Sequence, residues 1–362
     1  MELLVGGGCM PISVNGQTKK PLVSILIPAY NAQRWIADTL CSAIAQTWEP
    51  KEIIVVDDGS TDKTLAIAKK FESGNLRVVT QANRGAAAAR NTAFSLCQGD
   101  FIQWLDADDL LAPDKISRQI DELDQLPTRR TLLLSAWARF MSRDYRARFI
   151  PNSLWRDLSP YEFLLHKMMD NAFMQTATWL VSREVTEATG PWDTRLLGDD
   201  DGEYFCRILL ASDGTRFVPD ARVYYRGPLA ASLSVIGQSP RKVEAHWLSM
   251  ELHIKYLRSL EDSERTRIAC LKYLQRGVIH FYPERPDIFR QMETLANDLG
   301  GELQLPLLRW KYAWIKTLFG WRLALRVQDR SRKTRWSVQR FFDRVLYFIE
   351  QAFRSRSKKR RA

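Results

Sequence analysis

The sequence predicts an α/β fold in which helices flank a mostly parallel sheet, followed by a mainly α-helical, basic C-terminal region. Three observations predict it. Short apolar runs alternate with helical patterns in the first third of the chain, polar clusters follow several of those runs, and the pattern is helical from about residue 240 onward. Short buried strands that alternate with helices are typical of a parallel sheet covered on both faces. Ligands bind at the carboxyl ends of the strands in such sheets.

The first third contains four predicted strands, each a short apolar run: Leu22–Ile27, Glu52–Val56, Leu76–Thr80 and Phe101–Leu105. Apolar residues at helical spacing between them predict three helices: Trp35–Ala45, Thr61–Phe71 and Gly85–Leu96. Ser60 or Thr61 is expected to cap the second helix, because a hydroxyl oxygen can accept a hydrogen bond from a free amide of the first turn. The strand ends should bring Asn31, Asp57–Asp58 and Asp106–Asp109 to one edge of the sheet.

The middle third is less regular. Four further strands are predicted: Thr131–Ser142, Thr176–Val181, Arg216–Val218 and Ala221–Tyr225. A helix is predicted over Asp200–Ala211, because apolar residues within it recur at helical spacing and Gly214 lies beyond its end. The sequence shows no internal repeat.

The composition is that of a globular protein, with 362 residues of which 45% are hydrophobic and 26% are charged. No apolar run approaches the roughly 18–20 residues that a membrane-spanning helix needs. The segment from Met1 to Lys20 lacks the basic start and apolar stretch of a secretion signal. The cysteines have no CxxC spacing, which predicts free thiols in a reducing compartment and neither a disulfide framework nor a zinc site. We therefore expect a cytoplasmic protein.

All of the excess positive charge lies in the C-terminal tail, defined as residues 305–362. The tail has 17 basic and 3 acidic residues, a net +14, whereas the rest of the chain carries −3 of the total of +11. Aromatic stripes are predicted on helices over Trp310–Val327 and Val338–Phe353. Such a tail can lie on an anionic membrane, bind nucleic-acid phosphates, or pack on the rest of the chain. We expect a membrane surface and no nucleic acid, with the protein peripheral at the inner face of the plasma membrane.

Asp106 and Asp108, which follow the predicted strand Phe101–Leu105, are candidate metal ligands. Their carboxylates are hard oxygen donors that suit Mg²⁺ or Mn²⁺ bridging a diphosphate. Such an ion would neutralise charge on the departing phosphate. The alternative is a solvated acidic turn that caps a helix around Pro113–Gln119.

A second acidic stretch, DDGSTD, runs from Asp57 to Asp62. A carboxylate at a strand end can accept hydrogen bonds from a base or a ribose, and Gly59 permits a tight turn. The alternative is an ordinary strand-to-helix loop. The absence of GxGxxG after the first strand weighs against a dinucleotide fingerprint, and the absence of GxxxxGK[ST] excludes a P-loop.

Five linked motifs carry a resemblance to a known family: Pro28–Asn31 (PAYN), Asp57–Asp62 (DDGSTD), Asn83–Gly85 (NRG), Ala89–Asn91 (ARN) and Leu105–Asp109 (LDADD). In order and approximate spacing they resemble glycosyltransferase family 2, over roughly residues 21–226. The resemblance implies the GT-A fold and an activated nucleotide-sugar donor, usually a UDP-sugar. It also implies a divalent Mn²⁺ or Mg²⁺ ion and inversion at the anomeric carbon.

The resemblance further implies roles for individual residues. Pro28–Tyr30 would line the nucleobase pocket, Asp58 would bond the base, and Arg90 would lie near the nucleotide. Asp106 would face the ribose or the metal, and Asp108 would be the principal metal ligand. The residues expected to bind the nucleotide-sugar are Pro28, Ala29, Tyr30, Asn31, Asp58, Arg90 and Asp106.

Members of the family often have an aromatic-Asp pair, followed about eight residues later by Glu-Asp at the start of a helix. Trp192–Asp193 and Asp200–Asp201 stand at those places here. Inverting transfer needs a carboxylate that takes the proton of the acceptor hydroxyl and is separate from the metal ligands. Asp201 is the first choice for this catalytic base and Asp200 the second. The alternative is that Asp199–Asp201 only cap a helix.

One feature departs from the family pattern. Many relatives have a His a few residues after a Tyr-Arg pair, but Tyr225–Arg226 is followed by Gly227–Leu229. A contribution of His to the metal or diphosphate site is therefore not expected, and Arg226 becomes a candidate for binding the diphosphate.

The predicted organisation comprises an N-terminal extension (1–20), a GT-A domain (21–239), a helical segment (240–304) and the basic tail (305–362). Within the GT-A domain, residues 21–111 bind the nucleotide-sugar and residues 112–239 form the acceptor part. The predicted function is metal-dependent inverting transfer of a sugar to a hydroxyl of a glycan or lipid-linked acceptor, in surface polysaccharide or glycolipid synthesis. The alternatives are a non-catalytic nucleotide-sugar-binding protein and a nucleic-acid-binding protein that acts through its tail.

Overall fold

The computed structural model describes residues 20–227 and 239–306 continuously. It also describes shorter pieces of the tail, namely 308, 310–312, 314–321, 323–325, 327–328, 342–343 and 345–347. All structural statements below refer to these residues.

The first half of the sheet is parallel, as the alternating pattern predicts. Its strands are β1 (Val23–Ala29), β2 (Lys51–Asp57), β3 (Leu76–Thr80) and β4 (Phe101–Trp104). They lie in the order β3-β2-β1-β4, and every neighbouring pair is parallel. The helices between them are α1 (Ile36–Ile44), α2 (Thr64–Ala68) and α3 (Ala86–Leu96). The strands therefore end at one edge, where Ala29 lies opposite Asp57.

The second half of the sheet mixes directions. Its strands are β5 (Leu110–Leu111), β6 (Thr131–Phe140), β7 (Arg148–Phe149), β8 (Trp179–Ser182) and β9 (Gly214–Arg226). The sheet continues in the order β4-β8-β6-β9-β5, and β7 pairs with β6. Strand β8 is antiparallel to both β4 and β6, whereas β6 and β9 are parallel. Because β8 is antiparallel to β4, the turn that precedes β8 lies at the edge where the parallel strands end.

Seven further helices cover the sheet or follow it within residues 20–227 and 239–306. They are α4 (Lys115–Ile120), α5 (Pro160–Asp170), α6 (Arg183–Thr189), α7 (Asp200–Leu210), α8 (Pro240–Leu260), α9 (Glu264–Phe281) and α10 (Pro286–Asp298). Short 3-10 turns occur at Lys69–Phe71, Leu123–Gln125, Asp144–Arg146, Thr176–Thr178 and Trp310–Tyr312.

Three details differ from the sequence-based expectations. The predicted strand Thr176–Val181 begins only at Trp179, because Thr176–Thr178 form a 3-10 turn. The second helix starts at Thr64, and neither Ser60 nor Thr61 caps it. The Asp62 carboxylate instead accepts from the Thr64 amide at 2.8 Å, because the preceding residues are used to close the loop against β1. The two predicted closing strands are a single strand, β9, since the extended backbone continues past a register shift opposite Ser135/Ala136.

The sheet separates two hydrophobic cores, because successive side chains of a strand point to opposite faces. Ile25 and Ile27 of β1 join the core beneath α1 and α4, whereas Leu26 joins the core on the other face. That second core also contains Trp247 of α8 and Leu274 of α9. The helices after residue 240 therefore pack on the sheet domain through a shared apolar core.

The described pieces of the tail combine buried and exposed apolar residues. Tyr312, Ile315 and Ala324 are buried together, but Trp310 and Trp314 are 87% and 58% exposed. The Asp343 carboxylate accepts a hydrogen bond from the Ser142 amide at 3.0 Å, just after β6. Much of the predicted second stripe, Val338–Phe353, lies outside the described residues. No helix among the described residues has the length and apolar character needed to cross a membrane.

A buried lysine makes stability depend on pH. Lys115 of α4 is fully buried, its ammonium group donates to the side-chain carbonyl of Gln103, and burial lowers its pKa well below 10.5. The unfolded chain therefore binds more protons than the folded chain between the lowered pKa of Lys115 and its usual value of 10.5, so stability rises with pH in this range. We expect the melting temperature to rise less between about pH 6 and about pH 9 in Lys115→Met than in the wild type.

Lys51→Met is the matched control, because the buried Lys51 ammonium is paired with the Glu49 carboxylate and the Gln46 carbonyl. This variant should keep the wild-type pH dependence of the melting temperature. Identical pH dependence in Lys115→Met and the wild type would contradict the prediction.

Candidate active site

The carboxyl ends of β1, β2 and β4 meet at one edge and carry the motifs found in the sequence. Tyr30 and Asn31 follow β1, Asp58 follows β2, and Asp106–Asp109 follow β4. Parallel pairing places these strand ends side by side, because β1 is hydrogen-bonded to both β2 and β4. The fold therefore brings three separate motifs to one place.

The motif after β1 has a fixed backbone and an exposed aromatic ring. Ala29 is buried, whereas Tyr30 is 51% exposed. Asn31 adopts a left-handed backbone conformation with φ of 49°. Its side-chain oxygen accepts from the Thr61 amide at 2.9 Å, and its own amide donates to the Ser60 hydroxyl at 3.0 Å. Asn31 thus closes the loop after β2 against β1, while Tyr30 is left available for a planar ligand.

Asp58 organises the loop that leads into α3. Asp58 is 2% exposed. Its carboxylate accepts hydrogen bonds from the side-chain amide of Gln81 and from the backbone amides of Arg84 and Gly85, at 2.7 to 3.0 Å. Three donors leave only part of its hydrogen-bonding capacity for a ligand. Gly59, with φ of 71°, is required beside it, since a Cβ there would lie 2.9 Å from the Asn83 amide nitrogen.

Arg90 of α3 connects the two predicted groups of aspartates. Its guanidinium donates to Asp106 at 2.8 Å and to Asp200 at 2.6 Å, and it lies over the Trp192 ring. The residue is only 4% exposed, and its Nε has no hydrogen-bond partner in the described part of the chain. The candidate metal ligand Asp106 and the candidate catalytic base Asp200 therefore both contact Arg90.

Asn91, the next residue, fastens the loop before α7. Its side chain donates to the Trp192 carbonyl at 2.9 Å and accepts from the Trp192 amide at 2.8 Å. Trp192 in turn stacks on Tyr204 of α7, with ring centroids 3.9 Å apart. The ARN motif thus joins the first third of the chain to the segment that carries Asp200 and Asp201.

The carboxylates after β4 have different surroundings. Burial and the neighbouring Asp106 raise the pKa of Asp108 to about 6, against the smaller lowering effects of the Arg226 charge and of a hydrogen bond from its own backbone. Asp109 is fully buried, where it accepts from the Arg226 amide at 2.7 Å and from the side chain of Gln175. Burial, Asp108 and Asp106 raise the pKa of Asp109 well above its usual value.

Asp106 and Asp108 are the candidate ligands for a divalent cation. No group of three or more His, Cys, Asp or Glu side chains suited to a metal ion occurs in the described part of the chain. Mg²⁺ and Mn²⁺ are nevertheless often held by one or two carboxylates, with substrate phosphates and water completing the shell. The Asp108 carboxylate, whose pKa is raised by burial and by Asp106, fits such a ligand set.

The three aspartates before and within α7 have separate partners. Asp199 accepts from the Ser249 hydroxyl at 2.6 Å and makes no side-chain cap, so capping does not explain this residue. Asp200 is buried against Arg90. Asp201 accepts from the Gly202 amide at 2.9 Å and from the Thr176 hydroxyl at 3.2 Å. Burial, followed by the charges of Asp200 and Asp199, raises the pKa of Asp201 to about 6.

Arg226 is buried and is hydrogen-bonded to two backbone carbonyls. Its Nε donates to the Asp108 carbonyl at 2.7 Å and one terminal nitrogen donates to the Met141 carbonyl at 3.1 Å. Its guanidinium lies between the rings of Trp35 and Phe140. These contacts hold the loop after β4, and the residue is only 4% exposed.

The histidines belong to other parts of the fold. His253 of α8 is fully buried, and burial lowers its pKa to about 3. His166 of α5 contacts Asp170 at 2.9 Å. Within the described residues, no histidine is hydrogen-bonded to Asp106, Asp108 or Asp201. The motif reasoning gave no role to Asp109, although it ends the LDADD motif, and it missed Gln175 and Thr176, which contact the site from a turn without a recognisable motif.

Comparison with known families agrees with the resemblance. Residues 24–189, slightly less than half of the chain, match the family model described as "Glycosyl transferase family 2". An uncharacterized glycosyltransferase of Rickettsia typhi is 35% identical over 200 residues, which cover 54% of this chain and 61% of that protein. Chondroitin synthase of Escherichia coli is 45% identical over 104 residues, which cover 28% of this chain and 15% of the relative.

The putative teichuronic acid biosynthesis glycosyltransferase TuaG of Bacillus subtilis is 42% identical over 105 residues, covering 28% of this chain and 42% of TuaG. The match thus spans less than two thirds of each of these relatives. Among solved structures, S. aureus TarS 1–349 in complex with UDP-GlcNAc aligns with a TM-score of 0.62 and 18% identity, over 76% of this chain and 81% of that chain. This likeness shows the GT-A fold.

Removing Arg90 should leave the surrounding carboxylates without their buried partner. We expect Arg90→Met to lower the free energy of unfolding by about 3–5 kcal/mol, the range for breaking a buried ion pair. The loss should be larger at about pH 8 than at about pH 5, because protonation of Asp200, whose pKa is raised by burial, relieves the repulsion at low pH. Denaturant unfolding at the two pH values measures both effects.

Arg118→Met is the control, because the Arg118–Asp114 pair is exposed. Exposed pairs contribute little to stability, so this variant should unfold like the wild type. A pH-independent loss in Arg90→Met would contradict the electrostatic role of Arg90.

Proposed function

We propose that the chain is a metal-dependent inverting glycosyltransferase, because residues 24–189 match the family model of glycosyl transferase family 2. It moves a sugar from a nucleotide-sugar, in the first instance a UDP-sugar, to a hydroxyl of a glycan or lipid-linked acceptor. The observation that carries the proposal is the bridge from Asp106 through Arg90 to Asp200. This bridge puts the carboxylates expected on the donor side beside those expected on the acceptor side.

The names of the relatives support the substrate class. Chondroitin synthase, hyaluronan synthase and a putative teichuronic acid biosynthesis enzyme all act in polysaccharide synthesis. Two of the TarS structures are complexes with UDP or UDP-GlcNAc, which makes a UDP-sugar the first donor to test. In this proposal residues 21–111 bind the donor, residues 112–239 bind the acceptor, and residues 240–304 are a helical support.

On the donor side, Tyr30 offers an exposed ring for the nucleobase, and Asp58 holds the loop beside it. Arg90 is expected to lie near the nucleotide, where its guanidinium holds the Asp106 carboxylate. Asp108 and Asp106 would hold Mn²⁺ or Mg²⁺, which supplies charge neutralisation for the departing diphosphate. The burial of Arg90 strengthens its electrostatic contacts, because the local dielectric is low.

On the acceptor side, Asp201 is assigned as the base. Its carboxylate takes the hydroxyl proton as the acceptor oxygen forms its bond to the anomeric carbon, while the bond from that carbon to the diphosphate oxygen breaks. Attack opposite the leaving group inverts the configuration. Asp201 suits this step better than Asp200, because the Arg90 ion pair holds Asp200. A pKa of about 6 keeps most of Asp201 ionised at neutral pH and able to accept a proton.

Single amide substitutions test the two assignments. With a UDP-sugar and Mn²⁺, Asp108→Asn and Asp201→Asn should each lower the rate of UDP release by about 100-fold or more, the lower end of what general-base catalysis contributes. The wild-type rate should fall as the pH drops below about 6, because the base must be deprotonated. Chelation of the metal should abolish release from the wild-type protein.

Asp114→Asn is the matched control, since Asp114 lies in the same loop region but pairs with the exposed Arg118. It should release UDP at the wild-type rate. A full rate in Asp201→Asn would remove the base assignment, and UDP-sugar binding without turnover over a broad donor and acceptor panel would contradict the enzymatic proposal.

We also propose that the tail binds an anionic membrane surface, which places the protein at the inner face of the plasma membrane. Trp310 and Trp314 are strongly exposed, and Leu318 and Phe319 are 68% and 61% exposed. The tail carries a net +14. Exposed aromatic residues combined with basic side chains suit an interface of anionic lipids.

Vesicle sedimentation tests this surface. The wild-type protein should bind vesicles that contain phosphatidylglycerol and not vesicles of phosphatidylcholine alone, because both charge and apolar burial are needed. Trp310→Ala/Trp314→Ala should bind the anionic vesicles at least about tenfold more weakly, a factor that corresponds to ~1.4 kcal/mol.

Ile150→Ala is the control, because Ile150 is 73% exposed and lies outside the tail. It should bind like the wild type. Equal sedimentation of the tryptophan variant and the wild type would refute the surface.

A further inference from the structure

The turn before β8 is unusual because it is polar and completely buried. Gln175, Thr176 and Thr178 are 3%, 2% and 0% exposed. Buried polar groups destabilise a fold unless they are hydrogen-bonded, and an apolar turn would avoid that requirement. We therefore expect each of these polar side chains to have a hydrogen-bond partner.

The turn contacts both acidic groups of the candidate active site. The Gln175 side-chain amide donates to Asp109, which follows the proposed metal ligand Asp108. The Thr176 hydroxyl donates to Oδ2 of Asp201 at 3.2 Å. Two adjacent side chains thus link the loop after β4 to the proposed base at the start of α7.

A buried polar network holds the turn from below. The Gln103 side chain of β4 donates to the Ala177 carbonyl at 2.8 Å, and the Gln119 side chain of α4 donates to the Thr178 carbonyl at 3.1 Å. Within the turn, the Thr178 hydroxyl donates to the Gln175 carbonyl at 2.6 Å. These hydrogen bonds join two carbonyls of the turn to the sheet and to α4, although the side-chain oxygen of Gln119 has no partner among the described residues. The position of Thr176 is therefore set by the sheet and by α4.

We propose that Thr176 is a positioning residue for Asp201, an inference that rests on the proposed function. The Asp201 carboxylate is held at both oxygens, by the Gly202 amide on Oδ1 and by the Thr176 hydroxyl on Oδ2. The Gly202 contact is local and allows the carboxyl group to turn about its own bonds. The Thr176 contact comes from a separate rigid element and fixes the direction in which the free lone pairs of Asp201 point.

The buried turn affects the geometry of sugar transfer. Gln175 ties the same turn to Asp109, so the turn sets the separation between the base and the loop expected to hold the diphosphate. The acceptor oxygen must be deprotonated on the side opposite the leaving group, and small displacements of a catalytic group have large effects on rate. Thr176 therefore affects the chemical step and leaves donor binding unchanged.

Thr176→Val removes the hydroxyl and preserves the shape of the side chain. The donor is whichever of UDP-glucose, UDP-galactose, UDP-GlcNAc and UDP-glucuronate the wild type turns over fastest, with Mn²⁺ present. We expect kcat for UDP release to fall by about tenfold or more, with unchanged KM for the donor and unchanged UDP affinity by calorimetry. Thr176→Ser, which restores the hydroxyl, should return kcat to within about threefold of the wild type.

A double-mutant cycle distinguishes positioning from a general structural effect. If Thr176 acts through Asp201, Thr176→Val should have no further effect in the Asp201→Asn background. Thr186→Val is the matched control, because Thr186 of α6 is equally buried and its hydroxyl donates to the Ser182 carbonyl at 2.9 Å. This control should keep the wild-type kcat.

The outcomes separate the two proposals. If Asp201→Asn is slow but Thr176→Val retains the wild-type kcat, or if the two substitutions are additive, Thr176 has no positioning role and the proposed function stands. A raised donor KM in Thr176→Val would likewise overturn the positioning role. If Asp201→Asn keeps the wild-type rate, or the wild type turns over none of the four donors, the assigned base or the UDP-sugar donor fails and the inference fails with it.

Discussion

Arg90 lies where carboxylates from distant parts of the chain converge, and its charge makes their proximity possible. Asp106 follows β4 and Asp200 begins α7, yet both are hydrogen-bonded to one buried guanidinium. Asp201 adds further negative charge nearby, and burial raises its pKa. Buried like charges repel strongly at low dielectric. A fixed cation between Asp106 and Asp200 therefore offsets the repulsion among these carboxylates.

The topology explains why one arginine can reach both groups. Parallel pairing of β1, β2 and β4 collects three strand ends at one edge. Helix α3 starts after Gly85, whose amide is held by Asp58, and it runs past this edge. Successive residues of α3 then serve both halves of the site, since Arg90 binds the carboxylates and Asn91 binds the Trp192 backbone. The short ARN motif thus depends on the loop that Asp58 closes.

The sequence predicted those parts of the fold and site in which local pattern and motif spacing agree. The four parallel strands, helix α7 and the grouping of motifs at one edge follow from apolar runs and the residues after them. The antiparallel β8 beside β4, and the turn that contacts Asp201, depend on pairing over long sequence separations. Thr176 looks like an ordinary strand residue in sequence, and its role follows only from its neighbours. Contrary to the sequence-based expectation, neither Ser60 nor Thr61 caps α2, because both are hydrogen-bonded to Asn31, which is distant in sequence.

Helix α8, which lies beyond the part of the chain that matches the family, also supports the proposed base. The Ser249 hydroxyl binds Asp199 at 2.6 Å, and the Tyr256 hydroxyl donates to Glu203 at 2.7 Å. A Cβ at residue 202 would lie 2.2 Å from a carboxylate oxygen of Asp199, so glycine at that position lets the Asp199 side chain fold back over the start of α7. Asp201 sits between these anchored residues. The proposed base is therefore held from three directions: by α8 through Asp199 and Glu203, by α3 through Asp200, and by the buried turn through Thr176. A sheet domain without the following helices would lose the first of these supports, which gives the helical region a role in orienting the proposed base.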